Sequence, residues 1–401
     1  MNTAYFYLTD EGGKLAHKLA TAHPGDIYNK ENFKENLRAG FGKYDSLVCI
    51  MATGIVVRIL APLIVHKTSD PAVVVLDQKG KHAISLLSGH LGGANDLARE
   101  MAAISGGEAV ITTATDVAGE LSFDTFAKKY DMAIENIGQL KHISGALLAG
   151  KKVNVFTNKN AKKLYPELAE EQKRGMINIF SLSDFFKIYI RNKNNTKTED
   201  LNANLRSKNI ITSHIETYNI AVTDDKNVKT TPIMSPSTNI DNIESNIPIV
   251  VIDEGFSLNE CSTIPSSAPI LYLRPRTICA GIGCKRNMEQ QPIEEALLQT
   301  LKEEGIHPLS LKCIATIPLK SDEPGIIGTA VNLNVKIIPT EKIEKLDISQ
   351  LGIATSEFVA SQTGVLSVST ACSYLASGKG EILRDKAKYK GITIALSKEK
   401  S

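Results

Sequence analysis

The first third of the chain alternates short apolar runs with helical patterns, and this alternation limits the fold more than any other feature. "TAYFYLT" precedes Leu15, Leu19 and Ala22 at helical spacing; "SLVCIMA", "PAVVVLD", "HAISLLS" and "EAVITTAT" follow, with a helix starting near Ala94 between the last two. Strands separated by helical stretches build mainly parallel sheets covered by helices. Gly80 in "LDQKGKHAI" marks a tight hairpin, so the first sheet is expected to be mixed. After about Glu135 the character changes: "KKVNVFT" and "IPIVVID" read as strands, but "RNKNNTKTEDLNANLRSKN" and "TDDKNVKTTPIMSPSTNIDN" between them have the composition of surface loops or disordered insertions. A third block opens at "APILYLRPRTICAGIGCKRN", where a strand runs into a Gly-x-Gly turn. In the helix that follows, Ile293, Ala296, Leu297, Thr300 and Leu301 share a face and Gly305 supplies the C-terminal cap. The expected architecture is α/β: two α/β/α layered domains with mostly parallel or mixed sheets, residues 1–136 and 275–401, joined by a smaller polar α/β region at 137–274.

Charge and composition exclude several classes. Lys and Arg number 46 against 44 Asp and Glu, a net charge of +2, which argues against a nucleic-acid binder or a polybasic membrane-surface protein. The amino terminus has no basic stretch followed by an apolar one, and the longest greasy run, "GIVVRILAPLIVH", is broken by Arg58 and Pro62. A cytoplasmic location is therefore expected, with no membrane partner. Six cysteines without a CxxC pair, Cys279 and Cys284 being nearest, read as thiols rather than a disulfide framework.

Chemistry concentrates in a few stretches. In "SLLSGHLGGANDLA", Gly89, Gly92 and Gly93 free the backbone beside a helix start, which makes either a bare turn or an anion cradle in which Asn95 and Asp96 cap the first turn or face a ligand. His90 in that loop is either a base working near neutral pH or a ring that bonds a neighbouring carbonyl. "ITTATDVAGE" places Thr112, Thr113, Thr115 and Asp116 at a strand end, where α/β sheets hold ligands, although threonine is also an ordinary strand residue. In "MATGIVVRILAP", Gly54 precedes Arg58, which could fork onto a carboxylate or form a surface ion pair. "LKSDEPG" sets Lys320 beside Asp322 and Glu323, a pattern equally suited to a charged surface turn. "CAGIGCKR" has Gly281 and Gly283 but Arg286 where a dinucleotide fingerprint needs a third small residue, and no protease, esterase, Walker or zinc motif is present.

Taken together, "IMATGIVVRILAPLIVHKTSDPAVVVLDQKGKHAISLLSGHLGGANDLA" and "ITTATDVAG" closely resemble the amino-terminal domain of the cobalt-precorrin-5A hydrolase family of the anaerobic cobalamin pathway. "LRPRTICAGIGCKRN", "ATIPLKSDEPG" and "TGVLSVSTACSYLASG" resemble its carboxyl-terminal domain, with one departure: where the family has "VxE", this chain has "VST", ending on Thr370. The resemblance implies a cobalt-containing tetrapyrrole substrate edged with acetate and propionate groups and bearing a δ-lactone. Water opens the lactone, and a retro-aldol carbon–carbon cleavage releases acetaldehyde to give cobalt-precorrin-5B. Cobalt comes with the substrate, so no protein-bound metal or other cofactor is expected.

On that footing His90 is the candidate general base and Asp116 its orienting or proton-shuttling partner. Lys320 with Glu323 would reach the alkoxide or a side-chain carboxylate, and amides near Gly92 and Gly93 would meet the oxyanion. Substrate binding is expected from Gly54, Arg58, Lys67, Ser88, Gly89, Gly92, Gly93, Asn95, Asp96, Thr113, Thr115, Arg276, Gly281, Gly283 and Arg286. The alternatives are a carrier that binds a corrinoid without cleaving it, or a pathway methyltransferase with a nucleotide-like cofactor at "GIGCKR". A homodimer and hand-over to other enzymes of the pathway are both compatible with the sequence.

Overall fold

The computed structural model describes residues 2–66, 69–113, 119–157, 161–182, 247–255, 268–340 and 368–400. It divides into two compact units, one of residues 1–129 with 147–149 and one holding the rest. Both polar segments of the middle region lie outside the described residues. The five described cysteines are free thiols.

In the first unit, β1 (Thr3–Tyr7), β2 (Asp26–Tyr28), β3 (Ser46–Ile50), β4 (Ala72–Leu76), β5 (His82–Leu87) and β6 (Glu108–Val110) form one sheet in the order β2-β1-β3-β4-β5-β6. β1 to β4 are parallel. The hairpin at Gly80, whose φ is +66°, reverses β5 against β4, and β6 runs with β5. The strand period of two sorts side chains onto two faces. Tyr5, Val48, Ile50, Val74 and Leu76 meet Leu15 and Leu19 of α1 (Asp10–Ala22) and Leu97 and Met101 of α4 (Ala94–Ser105). Phe6, Leu47, Cys49, Val73 and Val75 meet Leu37 of α2 (Phe33–Phe41) and Val56, Ile59 and Leu60 of α3 (Thr53–Leu60). This is the α/β/α sandwich the alternation predicts, with buried side chains such as Leu47 and Leu97 each contributing about 2 kcal/mol. A short helix, α5 (Phe123–Lys129), closes the unit.

The second unit holds two sheets. One is ordered β7-β11-β10-β8-β9, from β7 (Met132–Ile134), β8 (Val153–Thr157), β9 (Ile177–Ser181), β10 (Ile249–Ile252) and β11 (Ile270–Pro275). The other is ordered β14-β13-β12-β16-β15, from β12 (Ile278–Cys284), β13 (Leu311–Thr316), β14 (Lys336–Pro339), β15 (Glu381–Tyr389) and β16 (Ile392–Lys398). "LYLRPRTICAGIGC", expected as one strand, is two: Pro275 lacks the N–H a ladder needs, the chain breaks there, and β11 and β12 enter different sheets. α6 (Gln290–Glu303) buries Ile293, Ala296, Leu297, Thr300 and Leu301 as predicted, and α7 (Pro324–Asn332) adds Ile326 and Ala330 to the same core. Gly305, with φ +66°, ends α6 through a bond from the Ile306 amide to Leu301. α8 (Val368–Ala376) covers the opposite face through Ala371 and Cys372.

Candidate functional site

Because β5 and β6 run against β1 to β4, their carboxyl ends lie at the sheet edge where the other strands begin: Leu87 pairs with Val73, near the start of β4. The loop after β5 is locked from below. Ser88 takes φ +57°, a left-handed conformation that costs about 1 kcal/mol, and its hydroxyl donates to the Asp70 carbonyl at 2.9 Å. A Cβ on Gly92 would stand 2.3 Å from Ser88 Cβ, so only glycine lets the loop cross itself. Neither Asn95 nor Asp96 caps the first turn of α4. Asn95 is 3% exposed and ties the loop to its neighbours: Oδ1 accepts from Ser85 Oγ at 2.6 Å and Nδ2 donates to Thr113 Oγ1 at 3.3 Å. Asp96 faces solvent and pairs with Arg99 at 3.0 Å. The cap position of α4 is Gly93, in the left-handed region with φ +89°, and makes no side-chain cap bond.

A cavity of about 160 Å³ opens in this loop, lined by Ser88, Gly89, His90, Leu91, Thr113 and Asp124. His90 Nδ1 stands 3.0 Å from Asp124 Oδ2, with side chains 13% and 8% exposed. A carboxylate only accepts, so Nδ1 carries the proton. Asp124 starts α5, its Oδ1 accepting from Ser122 Oγ and from the Thr125 amide. Burial opposes its ionisation, but hydrogen bonds from His90 and Ser122, the charge of His90 and the Thr125 amide outweigh that and hold the carboxyl below the usual carboxylate range.

Among the described residues the carboxylate that faces His90 Nδ1 is Asp124, a residue the sequence reading passed over; Asp116, expected as the partner of His90, lies outside the described residues, as do Thr115 and Lys67. The available signal was "SFDTF", a serine two residues ahead of an acid on the first turn of an apolar helix. The expected donors also change. The Gly93, Ala94 and Asn95 amides are taken by the carbonyls of His90, Ser88 and Gly89. The Leu91 and Gly92 amides find no acceptor among the described residues and remain open to a ligand.

Gly54 and Arg58 belong to the other edge of the same sheet, because α3 follows the carboxyl end of β3. Arg58 is exposed, and its guanidinium folds back over Gly54, where an added Cβ would sit 3.4 Å from Nη1. In the second unit Arg276 is half-buried in the link between β11 and β12. Gly281 and Gly283 lie within β12 rather than in a turn: a Cβ on Gly281 would stand 1.8 Å from the Ser369 carbonyl oxygen, so α8 lies directly on the strand's backbone. That packing explains Gly281, whereas a Cβ on Gly283 would stand 2.7 Å from Thr393 Oγ1 of β16; neither glycine forms a nucleotide loop.

Lys320, Arg286 and Glu323 come together. Glu323 is 1% exposed and accepts from Lys320 at 2.9 Å, Arg286 at 3.1 Å and the Asn287 amide at 3.0 Å, while Asp322 also pairs with Arg286 at 3.0 Å. Burial would raise the Glu323 carboxyl; the Lys320 hydrogen bond, the Asn287 amide and the charges of Lys320 and Arg286 bring it below its ordinary range. Its lone pairs are committed, so it anchors two cations. Thr370, at the family's acidic position, is fully buried and donates to Asp385 Oδ1 at 2.7 Å. Among the described residues no cluster of three or more His, Cys, Asp or Glu is placed to hold a metal ion, and no helix is long and apolar enough to cross a membrane.

Fold and site together define a multi-sheet α/β protein with a shielded histidine–carboxylate pair under a glycine-rich loop. Three regional family models match it in chain order: Cobalamin synthesis G N-terminal at residues 35–116, Cobalamin biosynthesis central region at 121–231, and Cobalamin synthesis G C-terminus at 278–397. The chain belongs to the cobalamin synthesis G family. A cobalt-precorrin-5A hydrolase from Salmonella typhimurium is 29% identical, over 98% of this chain and 96% of that protein. Another of the same name from Priestia megaterium is 27% identical, over 89% of this chain and 79% of its own length.

Proposed function

We propose that this chain hydrolyses the δ-lactone of cobalt-precorrin-5A and releases acetaldehyde, with His90 as the general base. The observation that carries the reading is the 3.0 Å contact between His90 Nδ1 and the Asp124 carboxylate, which fixes the orientation of the ring, and Nε2 is the proposed basic atom. A water deprotonated at Nε2 adds to the lactone carbonyl. The acyl–oxygen bond then breaks, giving a carboxylate on one side and an alcohol on the other. The Leu91 and Gly92 amides are the proposed donors to the oxyanion, each worth about 3 kcal/mol of barrier. Loss of the alcohol proton turns its carbon into the carbonyl of acetaldehyde as the bond to the macrocycle breaks; the electron pair passes into the conjugated ring, which takes up a proton.

In the second unit, Lys320 and Arg286, braced by Glu323, are the proposed holders of substrate carboxylates. Asp116 keeps its place as a candidate proton shuttle. Cobalt enters with the substrate, and the scheme uses no protein-bound cofactor. The test is anaerobic incubation with cobalt-precorrin-5A, trapping volatile aldehyde and weighing the corrinoid. Stoichiometric acetaldehyde from the wild type, lost in His90→Ala, supports the assignment; a lactone recovered unchanged marks a carrier.

A further inference from the structure

Asn95 is the buried polar side chain beside His90 that the proposed reaction does not use. It sits on the first turn of α4, 3% exposed, and its backbone amide donates to the Gly89 carbonyl at 2.9 Å. Its side chain packs on the loop: a Cβ on Gly89 would stand 2.8 Å from Oδ1 and 3.3 Å from Cγ and Nδ2, so glycine at 89 makes room for the amide. Distance tells the two ends of that amide apart. Ser85 Oγ stands at 2.6 Å, ordinary for O–H···O and short for N–H···O, so Oδ1 faces Ser85 while Nδ2 makes the longer contact, 3.3 Å, to Thr113 Oγ1.

The direction of these bonds decides what Thr113 can do. β5 and β6 are parallel, with Ile84 paired to Val110, so their carboxyl ends emerge side by side and Thr113, just past β6, reaches the wall of the His90 cavity. A hydroxyl has one proton and two lone pairs. Asn95 Nδ2 donates to a lone pair, which turns the Thr113 proton away from Asn95, and that proton finds no acceptor among the described residues. A side-chain donor therefore stands on the same cavity as His90, aimed by a buried amide that Ser85 holds in place.

Size limits the occupant. At about 160 Å³ the cavity is smaller than the roughly 300 to 1,000 Å³ of sites that enclose a whole drug-sized ligand, so it admits one group at the edge of a large substrate and leaves the macrocycle outside. We propose that Thr113 is a catalytic residue whose hydroxyl donates a hydrogen bond to an ester oxygen of the lactone seated beside His90, and that Asn95 is the positioning residue that sets the hydroxyl's direction. No bond to Thr113 forms or breaks; the hydroxyl keeps its proton and meets charge as it develops on oxygen. The identity of the substrate group rests on the function proposed above; the direction of the hydroxyl does not.

The test compares variants of the full chain on cobalt-precorrin-5A under anaerobic conditions, reading kcat and KM from acetaldehyde release and folding from a denaturant melt. Thr113→Val keeps the shape and removes the donor, so kcat should fall about a hundredfold with KM changed less than about threefold. Thr113→Ser keeps the hydroxyl and should restore most of kcat, which a steric role for Thr113 would not do. Asn95→Asp keeps the shape but sets an acceptor opposite Thr113, so the hydroxyl turns back to the new carboxylate and kcat should fall as in Thr113→Val. The double variant Asn95→Asp with Thr113→Val should be no slower than the slower single variant. Losses that multiply in the double variant would overturn the positioning role of Asn95. Turnover within about threefold of wild type in either Thr113→Val or Asn95→Asp would overturn the proposal, so it remains falsifiable if one of them does not fold. A wild type that binds the lactone without cleaving it would refute the hydrolase reading alone. The donor is then read from Kd, which Thr113→Val should raise about tenfold; an unchanged Kd would overturn it.

Discussion

Asp124→Asn tests the pair at the smallest change of shape. In the native site Oδ2 accepts from His90 Nδ1, and Oδ1 accepts from Ser122 Oγ and the Thr125 amide. Asparagine keeps one acceptor and replaces the other with an amide donor. The oxygen goes where two donors already point, toward Ser122 and Thr125, so the amide faces His90 Nδ1. The ring must then present a lone pair at Nδ1 and carry its proton on Nε2, where it can no longer accept one from water. General-base catalysis contributes about 10²- to 10⁴-fold, so turnover should fall by about 3–5 kcal/mol of barrier, with KM little changed. Stability should fall by less, about 1.5–3 kcal/mol for the lost charge-assisted bonds. The assay is single-turnover acetaldehyde release beside a denaturant melt. Turnover within threefold of wild type, whatever the melt, would refute the role given to Asp124. The double variant with His90→Ala should be no slower than His90→Ala alone, because the two side chains act as one unit.

The pH dependence of stability has a defined sign. The folded Asp124 carboxyl lies below its ordinary value, so its contribution is fully present above about pH 4 and is lost as the pH falls through the folded value; wild type and Asp124→Asn should differ most in melting temperature near neutrality and converge in acid. Gly92→Ala forces the Cβ against Ser88 and should cut turnover at least tenfold, with a stability loss of about 1–3 kcal/mol read by denaturant midpoint. Glu323→Gln frees Lys320 and Arg286 from their anchor, and kinetics should show KM rising about tenfold with kcat within threefold. Gly281→Ala drives a Cβ into the Ser369 carbonyl and should lower the denaturant midpoint; an unchanged midpoint would contradict the packing of α8 on β12.

The fold was legible where one residue type carries one physical demand. The apolar runs of β1, β3 and β4 are buried on both faces, and α6 shows its stripe of Ile293, Leu297 and Leu301. β2, β7 and β15 were not legible, because short or polar edge strands such as "EILRDKAKY" owe their state to a neighbour rather than to their own pattern. His90 could be singled out because a histidine among glycines is chemically conspicuous. Asp124 could not, since its 34-residue separation from His90 leaves no periodic trace and only the third dimension joins them. Gly281 of β12 shows the converse: glycine reports a close approach without saying what approaches, and there it is the helix backbone at Ser369.

The most direct measurement of the central claim is a single turnover of cobalt-precorrin-5A in ¹⁸O-labelled water under anaerobic conditions. Addition of water to the lactone carbonyl predicts one ¹⁸O atom in the newly formed carboxylate of the corrinoid and one acetaldehyde per ring, both abolished in His90→Ala. A labelled product formed at the wild-type rate by that variant, or a ring that loses its two-carbon unit without gaining label, would contradict water activation at His90.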